Sequence, residues 1–452
     1  MKKNHFFKSF LALILVLSMM VTSSMLMIFA SDEQPEAERA AGDVSGDGYV
    51  ELLDLVLLRR YFANFDYDAG IPMDIEGGDF NNDGTIDNMD IITLRKYLAS
   101  VDFEVIEPDD TVDNISAISP TVGTTVVLAN NTVYTWYQQF DATSKTVPAA
   151  AKADIYYPVP VTFEWECKED AIYYLVYLST SEDLSNPQCF VTNETTLQLE
   201  NLFVATDYYW QVDAICSGNT LRSEIFEFST AKSSRTIVIE GVSNTRDIGG
   251  LPTADGNSFK QGMIYRGGKL ENITEKGKQQ FLYDFGIKTD LDLRTVGEGG
   301  AGAGGKSPVS DSVNYFIYDG RYYVGDKGIS NENGKKIIAD EIRVFANPDN
   351  YPVYIHCSLG RDRTGTLVLI LQGLCGVEKW DIYMDYEMSM FSYGGTQDGA
   401  NPWQSIQDTY AYINNNYSGD SFAEKTENYL LSCGITAEEI ATIRSILIEE
   451  VK

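Results

Sequence analysis

Apolar residues are spaced in four different ways along this chain, and each spacing predicts a different kind of element. Phe10 to Phe29 form one long apolar stretch behind Lys2, Lys3 and Lys8, the pattern of a secretory signal cut after Ala30. An uncleaved anchor is the alternative; the acidic, polar sequence that follows favours cleavage, and no later segment approaches membrane-span length. From 52 to 63 and from 88 to 99 the apolar positions recur at helical spacing. Between about 113 and 232 strict alternation takes over, as in Val161-Thr162-Phe163-Glu164-Trp165-Glu166 and Tyr173-Tyr174-Leu175-Val176-Tyr177-Leu178. Such patterning, rich in aromatic and β-branched residues and broken by Asn, Ser and Gly, predicts a β-sandwich. Beyond 233, strands near 288–293, 313–318 and 352–356 alternate with helices near 275–285 and 334–347. A helical C-terminal half follows, its last helix opening on a capping box, Thr436-Ala437-Glu438-Glu439. This alternation predicts a three-layer α/β domain around a mainly parallel sheet. The chain therefore divides into a signal (1–30), two helical repeats (42–101), an acidic linker (102–112), a β-sandwich (113–232) and an α/β domain (233–452).

Charge narrows the class of partner. The chain holds 66 acidic against 34 basic residues, a formal net charge of −32. Nucleic acid and anionic lipid are poor partners for such a surface. Only His5 and His356 are histidines, and His5 leaves with the signal. A Ser-His-Asp or Cys-His hydrolase needs an imidazole that reaches its nucleophile. His356 adjoins Cys357 on a strand, where neighbours point to opposite faces, so protease and esterase readings fail. Hydrogen-bonded support of the following loop is its expected role. None of the six cysteines forms a CxxC pair, so no zinc site is indicated. Cys167 and Cys216 lie on predicted strands of one domain and, with Cys189, leave disulfide pairing open. A secreted catalytic thiol would need a reducing or anaerobic setting.

The candidate chemistry sits where an apolar strand, Tyr351-Pro352-Val353-Tyr354-Ile355, meets an apolar helix, Leu367-Val368-Leu369-Ile370-Leu371. Between them runs His356-Cys357-Ser358-Leu359-Gly360-Arg361-Asp362-Arg363-Thr364-Gly365-Thr366. Backbone N–H groups of such a loop and the helix N-terminus make an anion cradle. The same field lowers the pKa of Cys357 and makes it a nucleophile, while the planar fork of Arg363 suits two phosphate oxygens. The bland alternative is a core cysteine. Cys, Arg, Gly and Thr all at the required offsets argue against it.

Residues 233–452 resemble a secreted bacterial protein tyrosine/serine phosphatase whose loop reads HCxxGxDRTG. Three further blocks carry the likeness: Asn244-Thr245-Arg246-Asp247-Ile248-Gly249-Gly250, Ile264-Tyr265-Arg266-Gly267-Gly268 and Asp292-Leu293-Arg294-Thr295. Asp385-Tyr386-Glu387-Met388-Ser389 stands where the family has a helix after the loop. The resemblance implies phosphate held by Ser358, Leu359, Gly360 and Arg361, with Arg246 and Arg266 as further cations. Arg361 replaces the family's usual Lys and keeps its charge. Asp362 is the implied proton donor, Asp292 and Asp247 being alternatives, and Thr364 supports the leaving thiolate. No metal is implied for catalysis. No Trp-Pro-Asp tripeptide occurs. Substrate readings left open are phosphotyrosine or phosphoserine protein, a small phosphomonoester, and phosphoinositide or phytate. A non-catalytic phosphate-binding module is the rival class.

The helical repeats carry a second signature, 36 residues apart. Asp43, Ser45, Asp47, Tyr49, Glu51 and Asp54 in one copy match Asp79, Asn81, Asp83, Thr85, Asp87 and Asp90 in the other. Oxygen donors at this spacing, with Gly48 and Gly84 at the sharp turn, are the EF-hand calcium arrangement. The pair resembles a type I dockerin, which implies two Ca²⁺ ions, a cohesin partner and an extracellular, scaffold-associated protein. Leu52-Leu53 and Asn88-Met89 occupy the partner-choosing positions, so the two faces are unequal. Residues 160–231 resemble a fibronectin type III domain. Trp136 and Tyr137 are candidate carbohydrate contacts, against the commoner core role. Gly300-Ala301-Gly302-Ala303-Gly304-Gly305-Lys306-Ser307 satisfies the Walker A pattern, but Pro308 and an alternating run follow instead of a helix. It reads as a glycine loop beside the site.

Overall fold

A computed structural model describes residues 114–140, 153–216, 220–322, 325–392 and 402–450, with scattered positions between 41 and 94. The signal, the linker and most of both predicted dockerin helices lie outside these residues. The chain falls into two compact units: 1–126, 161–199 and 206–229 form one; 127–160, 200–205 and 230–452 form the other.

The first unit contains strands β1 (Ile115–Ser119), β2 (Thr125–Val126), β3 (Val161–Cys167), β4 (Ala171–Ser179), β5 (Gln188–Thr192), β6 (Thr196–Leu199), β7 (Asp207–Cys216), β8 (Thr220–Arg222) and β9 (Phe226–Thr230). They make two antiparallel sheets, β1-β3-β6 and β2-β9-β7-β4-β5, with β8 beside β7. Facing rings join the sheets: Phe163 meets Trp210 edge-on at 5.2 Å, and Trp165 meets Tyr174 at 5.3 Å. Alternation on β3 places Val161, Phe163 and Trp165 inward, as period-2 patterning requires. β4 is buried on both faces. Its Tyr173, Leu175 and Tyr177 cluster with Val44, Leu57, Leu58 and Leu94 of the repeats.

The second unit is α/β. It comprises helix α1 (Asn131–Gln139) and strands β10 (Arg246–Asp247), β11 (Ser258–Phe259), β12 (Ile264–Gly267), β13 (Thr289–Asp292) and β14 (Asn314–Ile317). Helix α2 (Glu332–Phe345), strand β15 (Val353–His356), helices α3 (Asp362–Leu374), α4 (Lys379–Ser392), α5 (Pro402–Asn416), α6 (Phe422–Ser432) and α7 (Ala437–Leu447), and strand β16 (Ile448–Glu449) follow. The main sheet runs β10-β12-β15-β13-β14 and is mixed: β10 is antiparallel to β12, and the other three pairings are parallel. The predicted helix near 275–285 is one α-turn, Glu275–Gln279, continued as a π-turn, Gln280–Asp284. The capping box at Thr436 and Glu439 forms in both directions.

β15 is buried on both faces, as a central parallel strand must be. One face is apolar, Val353 and Ile355 joining the main core with Leu291 of β13. The other carries Tyr354 and His356 across from Asp290 and Asp292. His356 Nε2 lies 2.9 Å from Asp290 Oδ1, and its Nδ1 is 3.2 Å from the Cys357 carbonyl oxygen. Strand β15 then gives way to a loop and α3. Every side chain of α3 from Thr364 to Leu374 is buried. The crevice at the carboxyl ends of parallel strands, where open α/β sheets bind ligands, is thereby set against a helix N-terminus.

The buried His356 imidazole is pushed up to about 9; burial opposes its charge, but Asp290 and Asp292 outweigh that penalty. A free imidazole titrates near 6.5. The stabilisation is therefore complete below about pH 6.5 and disappears as pH rises through 9. We expect the unfolding free energy in urea to fall by on the order of 3 kcal/mol across that window. The His356→Gln variant should lack this fall, and an identical slope in both proteins would refute the assignment.

Candidate active site

Gly360 explains how the loop turns. Its φ is +65°, and a Cβ there would stand 1.9 Å from the Gly267 carbonyl oxygen. Only glycine tolerates both. The turn brings the Leu359 and Thr364 backbone N–H groups onto the Cys357 sulfur. With the Thr364 hydroxyl and the Arg363 guanidinium, they hold the thiol below its ordinary range although burial pushes the other way. Cys357 is 3% exposed. By contrast burial pushes the Cys375 thiol, at the far end of α3, up to about 12, outweighing the opposing pull of Arg444.

Arg363, in the first turn of α3, is held end-on by a carboxylate. Its Nη1 donates to Glu298 Oε2 at 2.9 Å and its Nη2 to Glu298 Oε1 at 2.7 Å. Nη1 also reaches the Leu293 carbonyl at 3.3 Å. Ser358 Oγ donates to Glu298 Oε1 at 2.8 Å, so one carboxylate ties both ends of the cradle together. Hydrogen bonds from Arg363 and Ser358 drop the Glu298 carboxyl to about 2. Glu298 was not singled out in the sequence, where it is embedded in Gly297-Glu298-Gly299-Gly300. Glu298 stands two residues ahead of the predicted glycine loop, Gly300–Ser307. Left-handed Gly297, Gly299 and Gly302 shape two short turns there, not the strand-loop-helix of a nucleotide-binding loop.

Arg246 and Arg266 were expected among the phosphate ligands, and the geometry corrects this. Both are 0% exposed and lie behind the loop. They face each other across the β10–β12 register and share Asp385 of α4. Arg246 Nε donates to Asp385 Oδ1 at 2.8 Å, and Arg266 Nη1 pairs with Oδ2. Burial opposes charge on Asp385, yet the two guanidiniums keep its carboxyl below the usual range. Arg266 Nη2 then donates to the Gly360 and Arg361 carbonyls at 2.8 and 3.2 Å. Asn244 Nδ2 donates to the Leu359 and Gly360 carbonyls at 2.9 and 3.2 Å. These groups fix the back of the loop; they do not face its ligand side.

The three proton-donor candidates have different surroundings. Asp292 is buried against Arg294 at 2.7 Å and accepts from the Tyr315 hydroxyl at 3.0 Å. Burial raises its pKa, but Arg294 and His356 bring it net below the usual range, so it stays ionised. Asp247 is buried; its oxygens accept from Arg235, Gly249 N–H and Gly262 N–H. Asp362 alone adjoins the loop with a side chain 40% exposed. It accepts from Tyr386 Oη at 2.6 Å and from Arg361 Nε at 3.1 Å. Arg361 is thus turned toward Asp362 and the Met390 sulfur. Leu359 is exposed at the rim.

Among the repeat residues, Asp43, Ser45, Asp54, Asp79, Asn81, Thr85 and Asp90 are described; Asp47, Tyr49, Glu51, Asp83 and Asp87 lie outside the described residues. The two loops close alike. Ser45 N donates to Asp54 Oδ1 at 2.8 Å, and Asn81 N to Asp90 Oδ1 at 3.1 Å. Gly84 takes φ +85° and donates its N–H to Asp79 Oδ2 at 2.9 Å. Burying carboxylates such as Asp43, Asp54 and Asp90 in an all-oxygen donor set fits a hard cation.

Comparisons with known proteins agree with this division. Residues 237–449 match the tyrosine phosphatase family and residues 41–99 the dockerin type I domain. A Dictyostelium discoideum protein bearing the name tyrosine-protein phosphatase is 39% identical over 57 residues, 13% of this chain and 32% of that one. A Cupriavidus necator protein of similar name is 24% identical over 179 residues, 33% of this chain and 61% of that one. The chain thus spans less than two thirds of either relative. The core catalytic domain of the Saccharomyces cerevisiae PP-IP phosphatase SIW14, solved with citrate, is 17% identical, with 36% of this chain and 88% of that one covered and a TM-score of 0.23. The chain therefore carries a dockerin type I domain and, from 237 to 449, a tyrosine phosphatase-family domain.

Proposed function

We propose that the chain is a secreted, scaffold-docked cysteine phosphatase that hydrolyses phosphotyrosine, and by extension phosphoserine or phosphothreonine, monoesters. The observation that carries this reading is the Cys357 thiol, lowered by Arg363, Thr364 and loop N–H groups inside one strand-to-helix turn. Cys357 Sγ attacks phosphorus in line, and the S–P bond forms as the bond to the leaving oxygen breaks. Loop amides and Arg363 stabilise the equatorial oxygens. Asp362 donates a proton to the departing phenolate or alkoxide. Water then attacks the phosphocysteine and gives a proton to the Asp362 carboxylate as the S–P bond breaks, releasing phosphate and the thiolate, which the Thr364 hydroxyl steadies. Glu298 is a positioning residue: it holds the outer Nη pair of Arg363 and so orients the guanidinium before substrate arrives. Arg246, Arg266, Asn244 and Asp385 hold the loop backbone.

Calcium would be held by Asp43, Ser45, Asp47, Tyr49, Glu51 and Asp54 in one repeat and by Asp79, Asn81, Asp83, Thr85, Asp87 and Asp90 in the other. The ion would cross-link each loop and fix the helices that meet a cohesin. The two-sheet domain serves as a fibronectin-like spacer between docking and catalysis.

Cys357→Ser should abolish p-nitrophenyl phosphate turnover while leaving circular dichroism and melting unchanged; retained turnover would end the phosphatase reading. Glu298→Gln keeps the shape but loses the charge. Its kcat/KM should fall on the order of tenfold with tungstate binding weakened, whereas unchanged kinetics would remove Glu298 from the mechanism. Calorimetry should detect calcium binding that disappears in the Asp43→Ala, Asp79→Ala double variant, together with cohesin capture. Undiminished calcium uptake by that variant would reject the assigned ligands.

A further inference from the structure

The segment 127–160 stands in the sequence before strand β3 and outside the family match at 237–449, yet it clusters with residues 230–452. Its helix α1 is capped by Asn130, whose side chain accepts from Thr132 N at 3.0 Å. Val133, Trp136 and Tyr137, spaced three and four apart, form its buried face and pack with Met384, Met388, Met390 and Phe391 on α4. Trp136 meets Phe391 edge-on at 5.2 Å. These aromatics are therefore core, not a carbohydrate surface. Near its end stands Tyr156, which is 1% exposed. Its hydroxyl donates to the Thr245 carbonyl at 3.1 Å and accepts from Arg246 Nη1 at 3.3 Å.

We infer that this segment is a working part of the catalytic unit and that Tyr156 is a positioning residue for the phosphate-binding loop. Tyr156 holds two members of the tripeptide Asn244-Thr245-Arg246. The third, Asn244, supplies the N–H groups that fix the Leu359 and Gly360 carbonyls. Asn244 also donates to Ser389 Oγ at 3.2 Å, on the helix that α1 packs against. The chain of contacts therefore runs from Tyr156 through Asn244 and Arg246 to the loop backbone. Losing the hydroxyl leaves Arg246 and the Thr245 carbonyl buried with one partner fewer, which a buried polar group tolerates poorly. The tripeptide can then settle differently and carry Asn244 with it. A small displacement of loop amides is costly in an anion site that works by preorganisation.

The kinetic arm of the test rests on the phosphatase reading; the exchange arm does not. In the full chain, Tyr156→Phe should lower kcat/KM toward p-nitrophenyl phosphate on the order of tenfold and weaken tungstate binding in calorimetry. Hydrogen–deuterium exchange should quicken at amides 358–361. Trp136→Ala, which loosens α1 but keeps Tyr156, should move all three readouts the same way and supplies them if Tyr156→Phe fails to fold. Unaltered exchange at 358–361 together with unaltered tungstate affinity would overturn the inference, even if the melting temperature dropped. Faster exchange in the variants, alongside a wild-type protein that shows no turnover, would instead uphold it and remove the phosphatase reading.

Discussion

Two guanidinium groups stand opposite each other in the interior, and the catalytic unit is organised around the single carboxylate between them. Like charges facing across an antiparallel pair repel, and burying either cation uncompensated costs several kcal/mol. Asp385 answers both Arg246 and Arg266, and Arg266 keeps a donor for the loop carbonyls. Helix α4, strands β10 and β12 and the phosphate loop are thus fastened at one point. Tyr386 of the same helix fixes Asp362, and Ser389 meets Asn244. Positive charge is used here as scaffolding, with its field partly cancelled.

That cancellation suits a chain with a formal net charge of −32. The cation that faces the anion site, Arg363, is itself matched by Glu298. On the proposed reading, attraction for a phosphate comes from directed N–H groups and one oriented fork, not from a broad positive surface. Such a site favours ligands whose oxygens fit the donors over anions in general. The donors that lower the Cys357 thiol are the ones the proposed reading gives to the ligand, so nucleophile activation and ligand binding would share one set of groups.

Much of this was legible locally. The Cys357-to-Arg363 spacing located the loop, and apolar runs placed β13, β14, β15 and α2 within about two residues, because buried parallel strands and an amphipathic helix write their periods directly into sequence. Charge type was legible at Arg246 and Arg266, but their direction was not: the partner that turns them inward lies 139 and 119 residues away. Glu298 was not legible, because a lone carboxylate among glycines has no period or spacing that ties it to Arg363, 65 residues on. The two-residue strand β10 is too short to announce its antiparallel pairing, so the sheet is more mixed than its alternating pattern suggests. The allegiance of 127–160 is a tertiary fact; no period in α1 says which core receives Trp136.

Helix α3 has no wet face beyond its first turn. It is enclosed by sheet and helices, so from Thr364 onward it has no low-cost partial melting of its own. Heat or denaturant would consequently take away the anion cradle and the hydrophobic interior in one step. The seat of the cradle is to that extent part of the core itself, and only the loop ahead of it can shift separately.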